Sequence, residues 1–174
     1  LGDFKMNDVD KSYEELKKII SEFDTFHDTH EKISETDTRI KLIDRILKDV
    51  CNWPEIAIIR EEKSDSGFID YVLTINNRRY IAVEAKKIGI SFCYPCNLNQ
   101  RSYKLSGALY TDKIIKDAIE QVRRYCDDSG IRYAVATNGC TWIIFRAIRE
   151  DIPWRDGKAI VFQNLNIIFK KFTD

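Results

Sequence analysis

The sequence has no long hydrophobic run, and its opening residues lack the features of an export signal. No apolar stretch approaches the roughly 18 residues that a membrane-spanning helix requires. The first ten residues, LGDFKMNDVD, do not combine a positively charged start with an apolar segment, as a signal peptide does. Apolar residues make up 44% of the chain and charged residues 32%, a composition typical of soluble globular domains. We therefore expect a cytoplasmic protein that does not enter a membrane.

Histidine is scarce, and the cysteines show no regular spacing. The five cysteines are an odd number without the rhythm of a disulfide framework, which fits a reducing compartment. Cys93 and Cys96 have the spacing of half a zinc knuckle, but no second pair lies at a suitable distance. The only two histidines, His27 and His30, lie far upstream. We expect the cysteines to be reduced and free of metal.

The chain has no net charge, because 28 basic side chains balance 28 acidic ones. A dedicated DNA-binding module is usually basic, so this balance argues against one. The charges are unevenly distributed, however. Residues 1–37 carry eleven acidic and five basic side chains, whereas residues 38–174 carry 17 acidic and 23 basic ones. A moderately basic body with an acidic helical arm can still meet phosphate on one face.

Apolar periodicity predicts the element order ααβββαββ, followed by a last strand. Helical spacing predicts helices over residues 9–33, 34–52 and 111–126, and Ser34 with Asp37 forms a variant capping box at the start of the second helix. Runs rich in Ile, Val and Tyr predict strands over residues 55–60, 68–75, 79–86, 131–137, 141–148 and 159–162. Tight turns are expected at Asn76-Asn77 and Asn138-Gly139. The expected fold is α/β, with a mixed β-sheet flanked by helices.

Three charged residues stand on two neighbouring apolar strands. Side chains alternate along a strand, so Glu84 and Lys86 project from the same face, just after the apolar residues 81–83. A hairpin that turns at residues 76–77 places Asp70 near Glu84. Two converging carboxylates with a lysine two residues further on form a candidate site for a hard cation such as Mg²⁺.

Such a site suits phosphodiester hydrolysis, which develops charge on the phosphate oxygens and requires a deprotonated water. Asp70 and Glu84, with the carbonyl of Ala85, are the candidate metal ligands. Lys86 is the candidate for orienting the water or stabilising the transition state. A purely structural interpretation stays open, because Glu-x-Lys occurs by chance in so charged a chain and an aspartate in a strand can form a local turn.

The stretch Gly67-Phe68-Ile69-Asp70, followed after a turn by Val83-Glu84-Ala85-Lys86, resembles the restriction-endonuclease-like superfamily, the PD-(D/E)xK nucleases. Three further stretches resemble the amino-terminal nuclease domain of type I restriction motor subunits. They are Ser34-Glu35-Thr36-Asp37-Thr38-Arg39 with Leu42-Ile43-Asp44 and Trp53, then Gln121-Val122-Arg123-Arg124-Tyr125, then Ala136-Thr137-Asn138-Gly139 with Trp142. The matches run in order from about residue 34 to residue 146.

The resemblance implies a restriction-endonuclease-like fold and a Mg²⁺-dependent endonuclease, with Mn²⁺ as a possible substitute. Asp70, Glu84 and Lys86 match the positions that bind metal and water. Glu35 matches a helical glutamate that reaches the site, either as a ligand of a second metal or as a group that holds a water. The alternative for Glu35 is a favourable charge at the start of a helix.

Gln121 and Tyr125 are four residues apart and therefore share one helical face. In the family this face supports the catalytic site and nearby DNA, and we expect Gln121, Arg124 and Lys87 to contact nucleic acid. The alternatives are core packing for Tyr125 and a solvated helix face for Gln121.

Residues 88–109 contain glycine, proline and asparagine and predict a long loop, which departs from the family pattern. Its aromatic and basic side chains either contact nucleic acid or cover the site. They are Phe92, Tyr94, Arg101, Tyr103 and Lys104.

The sequence contains no Walker motif, so we expect any motor to lie in a fused or associated NTPase or specificity domain. We expect an N-terminal helical arm in residues 1–33 and one nuclease domain in residues 34–174, acting on DNA in a restriction or phage-defence system. A homodimer would place two sites on the two strands. Three alternatives stay open: a catalytically silent nucleic-acid- or protein-binding module of the same fold, a nuclease acting on RNA, and a structural α/β domain whose matches arise by chance.

Overall fold

The structure, a computed structural model, describes the backbone of residues 6–94 and 101–166 and the side chains of these residues except 6–8. A seven-stranded mixed sheet lies between two layers of helices. The predicted α/β class is therefore confirmed. None of the helices in these residues combines the length and the apolar character needed to cross a bilayer.

The helices form close to where the periodicity predicts them. Helix α1 spans Met6–Thr29, α2 spans Glu35–Thr38 and α3 spans Lys113–Ser129. The chain continues beyond α2 through two π-helical turns, Arg39–Ile43 and Ile46–Val50, so that the second helical segment covers residues 35–50. The expected boundary between an arm and a nuclease domain at residue 34 remains a prediction.

The predicted capping box starts this second segment. The Asp37 backbone N–H donates to Ser34 Oγ at 2.9 Å, and the Ser34 N–H donates to the Asp37 carboxylate at 3.3 Å. Each residue thereby satisfies a backbone donor that the first helical turn leaves unpaired. The cap fixes where the segment begins, and Arg39 follows one turn later.

The sheet has the strand order β1-β2-β3-β5-β6-β7-β4. The strands are β1 Ile58–Ser64, β2 Gly67–Ile75, β3 Arg78–Ala85, β4 Ser102–Lys104, β5 Tyr133–Thr137, β6 Trp142–Arg146 and β7 Lys158–Phe162. Neighbouring strands are antiparallel except β3 and β5, which are parallel. A parallel pair needs a long crossover, and the connection that contains α3 supplies it.

Two predicted elements are wrong in their bounds. Residues 55–57 form a 3-10 turn after Pro54, so the first strand begins only at Ile58. The predicted loop over 88–109 contains the edge strand β4 and a 3-10 turn, Ala108–Thr111. Strand β4 has only three residues, too few for an alternating pattern to reveal it. The predictions for Cys96 and for the chain after residue 166 fall outside the described residues.

The strands carry apolar side chains on both faces of the sheet. On β3 and β5, Ala82 and Ala134 belong to the core beneath α3, whereas Val83 and Val135 belong to the core beneath α1 and the second helical segment. Because side chains alternate, Glu84 shares the α3 face with Ala82. A carboxylate is thus placed at the end of a buried strand, beneath a helix.

Gly139 lets the β5–β6 hairpin pack closely against the second helical segment. Its φ is +86°, and a Cβ added there would lie 2.6 Å from Leu42 Cδ2 and 3.2 Å from Thr38 Cγ2. We expect Gly139→Ala to lower the free energy of unfolding by about 2–4 kcal/mol, because backbone strain and overpacking add. Urea denaturation at equilibrium measures the change.

Gly130→Ala is the matched control for this variant. Gly130 also has a positive φ, +67°, but no atom lies within 4 Å of an added Cβ. Its substitution therefore carries the backbone strain alone, about 1–2 kcal/mol. Equal losses in the two variants would mean that Leu42 moves aside at no cost, and the packing argument would be wrong.

Candidate functional site

The β2–β3 hairpin brings Asp70 and Glu84 together. Both asparagines of the turn at residues 76–77 have positive φ, +49° and +61°, as a type I′ turn requires. The turn sets a register in which Tyr71 pairs with Val83, and this register places Asp70 opposite Glu84. The hairpin and the proximity that the sequence predicts are both present.

The two oxygens of Asp70 have different partners. Its Oδ2 accepts a hydrogen bond of 2.7 Å from the backbone N–H of Ala85. Its Oδ1 lies 3.5 Å from Nη1 of Arg39. Burial raises the pKa of Asp70, although the Ala85 hydrogen bond and the charge of Arg39 oppose this.

Glu84 is a carboxylate in an almost fully buried position, with 2% of its surface exposed. Its Oε1 accepts a hydrogen bond of 2.6 Å from Nζ of Lys86. Its Oε2 is buried and has no hydrogen-bond partner in the described part of the chain. Burial, together with the negative charge of Asp70, raises the pKa of Glu84 to about 7, against the lowering effect of Lys86.

Lys86 connects the strand to helix α3. Besides Glu84, its Nζ donates to Oε1 of Gln121 at 3.2 Å. Burial alone would lower the pKa of Lys86, but the hydrogen bond and charge of Glu84 raise it. The side chain is therefore protonated at neutral pH. Gln121 in turn donates through Nε2 to the hydroxyl of Tyr125 at 3.0 Å. The predicted face of α3 therefore holds the lysine in place.

Gly67 makes room for the tyrosine. Its φ is +138°, and a Cβ there would lie 3.3 Å from the Tyr125 hydroxyl oxygen. Tyr125 itself is buried in the core beneath α3. Core packing, the alternative interpretation of Tyr125, is therefore present, and its hydroxyl in addition accepts the hydrogen bond from Gln121.

The other predicted residues lie around this centre. Glu35 is exposed, and its charge contributes to raising the pKa of Glu84, but its carboxylate forms no hydrogen bond or ion pair with the described residues. Arg124 is exposed on α3. Lys87 is also exposed and lines a separate cavity of about 250 Å³ next to His27 and His30.

Sequence reasoning missed two members of the site. Arg39 lies between Asp70 and Glu61, with its Nη1 3.0 Å from Oε1 of Glu61. Its guanidinium stands over the ring of Tyr71, 5.1 Å from the centroid. Arg39 belongs to one of the stretches that carry the family resemblance, so a signal existed for it. No signal existed for Glu61, whose φ of +53° the sequence does not reveal.

The aromatic side chains of the predicted loop, for which contact with nucleic acid and covering of the site are the two alternatives, are buried or half-buried. Phe92 and Tyr103 are buried in the core beneath α3, and Tyr94 is half-buried against it. The ring of Tyr94 meets that of Tyr103 edge-on at 5.4 Å. Of the five aromatic and basic residues named in the predicted loop, Arg101 and Lys104 are exposed.

Among residues 9–94 and 101–166, no group of three or more His, Cys, Asp or Glu side chains is placed to hold a metal ion. The site combines the paired carboxylates of Asp70 and Glu84 with Lys86, Arg39, Glu61 and nearby backbone groups. Comparisons with protein-family models, with curated proteins and with solved structures gave no match to this chain.

Proposed function

We propose that this chain is a Mg²⁺-dependent endonuclease of the restriction-endonuclease-like type, hydrolysing phosphodiester bonds in DNA. The observation that carries the proposal is Oε2 of Glu84, which is buried next to a second carboxylate and has no hydrogen-bond partner among the described residues. An unpaired buried carboxylate oxygen costs stability. Folded proteins keep such groups where a ligand or a reaction needs them.

The donor set fits a small hard cation. Asp70 Oδ1, Glu84 Oε2 and the carbonyl of Ala85 are the proposed ligands, all of them oxygens. Mg²⁺ retains several waters and needs only one or two carboxylates when a substrate phosphate completes its shell. When bound, it supplies positive charge to the phosphate and lowers the pKa of a bound water.

The side chains around the carboxylates have distinct roles in this proposal. In the hydrolysis a water loses a proton to solvent and its oxygen attacks phosphorus; the bond from phosphorus to the leaving oxygen breaks, and that oxygen takes up a proton from solvent. The Lys86 ammonium donates hydrogen bonds to the attacking water or to a phosphate oxygen. Gln121 and Tyr125 hold Lys86 at its position, and exposed Arg124 and Lys87 bind neighbouring phosphates.

Partners are expected to supply what the chain lacks. A chain with no net charge gains little from counterion release and should bind DNA weakly by itself. Fused or associated NTPase and specificity domains would choose the DNA, and a homodimer would provide a second centre for the other strand. Nothing in the geometry favours RNA over DNA, so RNA stays the alternative substrate.

Cleavage of supercoiled plasmid tests the proposal. With Mg²⁺ or Mn²⁺ we expect nicking by the wild type and a loss of at least about 100-fold in rate for Lys86→Ala, because the lysine faces the developing charge. Lys18→Ala is the control, since Lys18 is an exposed lysine of α1. Equal rates for wild type and Lys86→Ala would assign the cleavage to a contaminant or to another site. No cleavage by a wild type that still binds Mn²⁺ would favour the catalytically silent module.

A further inference from the structure

We infer that Arg39 competes with the metal for Asp70, and that Glu61 opens the site by drawing Arg39 away. The inference rests on the proposed function, because it concerns the same metal ligands. In this arrangement the guanidinium of Arg39 is a cation within the site, and it is shared between the carboxylates of Asp70 and Glu61.

Asp70 has one oxygen left for a metal, and Arg39 faces that oxygen. The backbone N–H of Ala85 holds Oδ2 at 2.7 Å. Nη1 of Arg39 lies 3.5 Å from Oδ1. A guanidinium and a divalent cation repel each other, so both cannot stand against the same oxygen.

The same nitrogen of Arg39 has a second acceptor. Nη1 lies 3.0 Å from Oε1 of Glu61, closer than to Asp70. The Glu61 side chain is 67% exposed and its backbone has a φ of +53°, a left-handed conformation that is strained for a non-glycine residue. Glu61 lies on β1 between two residues paired with β2, beside Asp70 in the register. A strained residue thus places a second carboxylate next to the first.

The ring of Tyr71 packs against the Arg39 guanidinium, which lies between Asp70 and Glu61. It stands 5.1 Å above the centroid of the buried Tyr71 ring, a favourable cation–π distance. Its side chain is only 16% exposed, so water screens its charge poorly. Without metal, Arg39 offsets the negative charge of Asp70 beside Glu84. When a metal is bound, Asp70 would no longer need Arg39 to offset its charge, and Glu61 would retain the guanidinium.

Mn²⁺ titration of the folded chain tests this competition. We expect Arg39→Gln to lower the Kd for Mn²⁺ by about fivefold, because the competitor is gone, and Glu61→Gln to raise it by a similar factor. Isothermal titration calorimetry at one pH and ionic strength measures both. Arg60→Gln is the matched control: Arg60 also stands over Tyr71, at 6.0 Å, but pairs with Asp44 and Glu55. Its Kd should change by less than about twofold.

A double-mutant cycle separates competition from a general change of charge. If Glu61 acts through Arg39, Glu61→Gln has no effect on the Kd once Arg39 is glutamine. If the two charges act independently, their effects add. Additive effects, or Mn²⁺ binding in Arg39→Gln no tighter than in wild type, would overturn the inference. Should Arg39→Gln fail to fold, Arg39→Met replaces it, because methionine also removes the charge and keeps an unbranched side chain beside Tyr71; Glu61→Gln alone must still weaken binding.

Asp70→Asn distinguishes failure of this inference from failure of the proposed function. Loss of Mn²⁺ binding in Asp70→Asn, without the expected changes in Kd for Arg39→Gln and Glu61→Gln, would support the metal site and contradict the competition by Arg39. Unchanged binding in Asp70→Asn would show that the metal lies elsewhere, and both would fall.

Discussion

Glu84→Gln is expected to stabilise the metal-free chain at pH 8 and to leave its stability almost unchanged near pH 4. The ionised carboxylate of Glu84 is buried beside Asp70, and within residues 6–94 and 101–166 one of its oxygens has no hydrogen-bond partner. Glutamine keeps the shape and the hydrogen-bonding capacity but carries no charge, so the desolvation penalty disappears. At alkaline pH the gain in the free energy of unfolding should reach up to about 3 kcal/mol.

The sign follows from the direction of the pKa shift. Folding raises the pKa of Glu84 from 4.5 to about 7, so the folded state holds this proton more tightly than the unfolded state. The contribution of Glu84 to stability is therefore unaffected below pH 4.5 and is lost as the pH rises from 4.5 to 7. Across this pH range the free energy of unfolding of the wild type should fall below that of Glu84→Gln.

Urea denaturation of both proteins at several pH values, without divalent metal, measures the difference. Glu55→Gln is the control of opposite sign, because hydrogen bonds from Arg60 and Lys48 lower the pKa of exposed Glu55. Removing Glu55 should therefore cost stability at neutral pH and cost nothing in strong acid. If Glu84→Gln is less stable than the wild type at pH 8, the ion pair with Lys86 outweighs burial, and the electrostatic argument fails.

The sequence predicts those parts of the site that depend on residues close together along the chain. Glu84 and Lys86 share a face because strand side chains alternate, and Asp70 meets Glu84 because two asparagines favour a tight turn. The spacing of Gln121 and Tyr125 likewise fixes their common helical face. Each of these inferences needs only a few neighbouring residues.

Contacts between distant elements could not be predicted in this way. Arg39 reaches Asp70 from another helical segment, and the ion pair to Glu61 depends on a backbone conformation with positive φ at an ordinary residue. The hydrogen bond between Lys86 and Gln121 depends on how α3 crosses the end of β3. These contacts result from the packing of distant elements, which the apolar periodicity of the sequence does not predict.

The edges of the sheet show the same limit. Strand β4 has three residues and no alternating run, and it forms because β7 offers a partner. Tyr103 on this strand is buried in the core, whereas the sequence places it in a loop that either contacts nucleic acid or covers the site, because glycine and proline in this stretch favour a loop. The composition of residues 88–109 therefore predicts a loop correctly over part of this stretch, but it does not predict which of its side chains are exposed.

Gln121→Leu is expected to lower the rate of plasmid cleavage by roughly 10- to 100-fold without weakening the binding of Mn²⁺, because a misplaced catalytic group costs rate rather than metal affinity. Leucine removes the acceptor for Nζ of Lys86 and the donor to Tyr125. Lys86 would then be held by Glu84 alone and would sample more positions. Gln121→Glu keeps an acceptor for Lys86, and the Tyr125 hydroxyl can turn to donate to it, so this variant should retain most of the activity. Single-turnover cleavage measures the rate, and separate titrations with Mn²⁺ and with DNA measure the two affinities. A fall in DNA affinity at an unchanged single-turnover rate would make Gln121 a contact to nucleic acid, and full activity in Gln121→Leu would show that Glu84 alone positions the lysine.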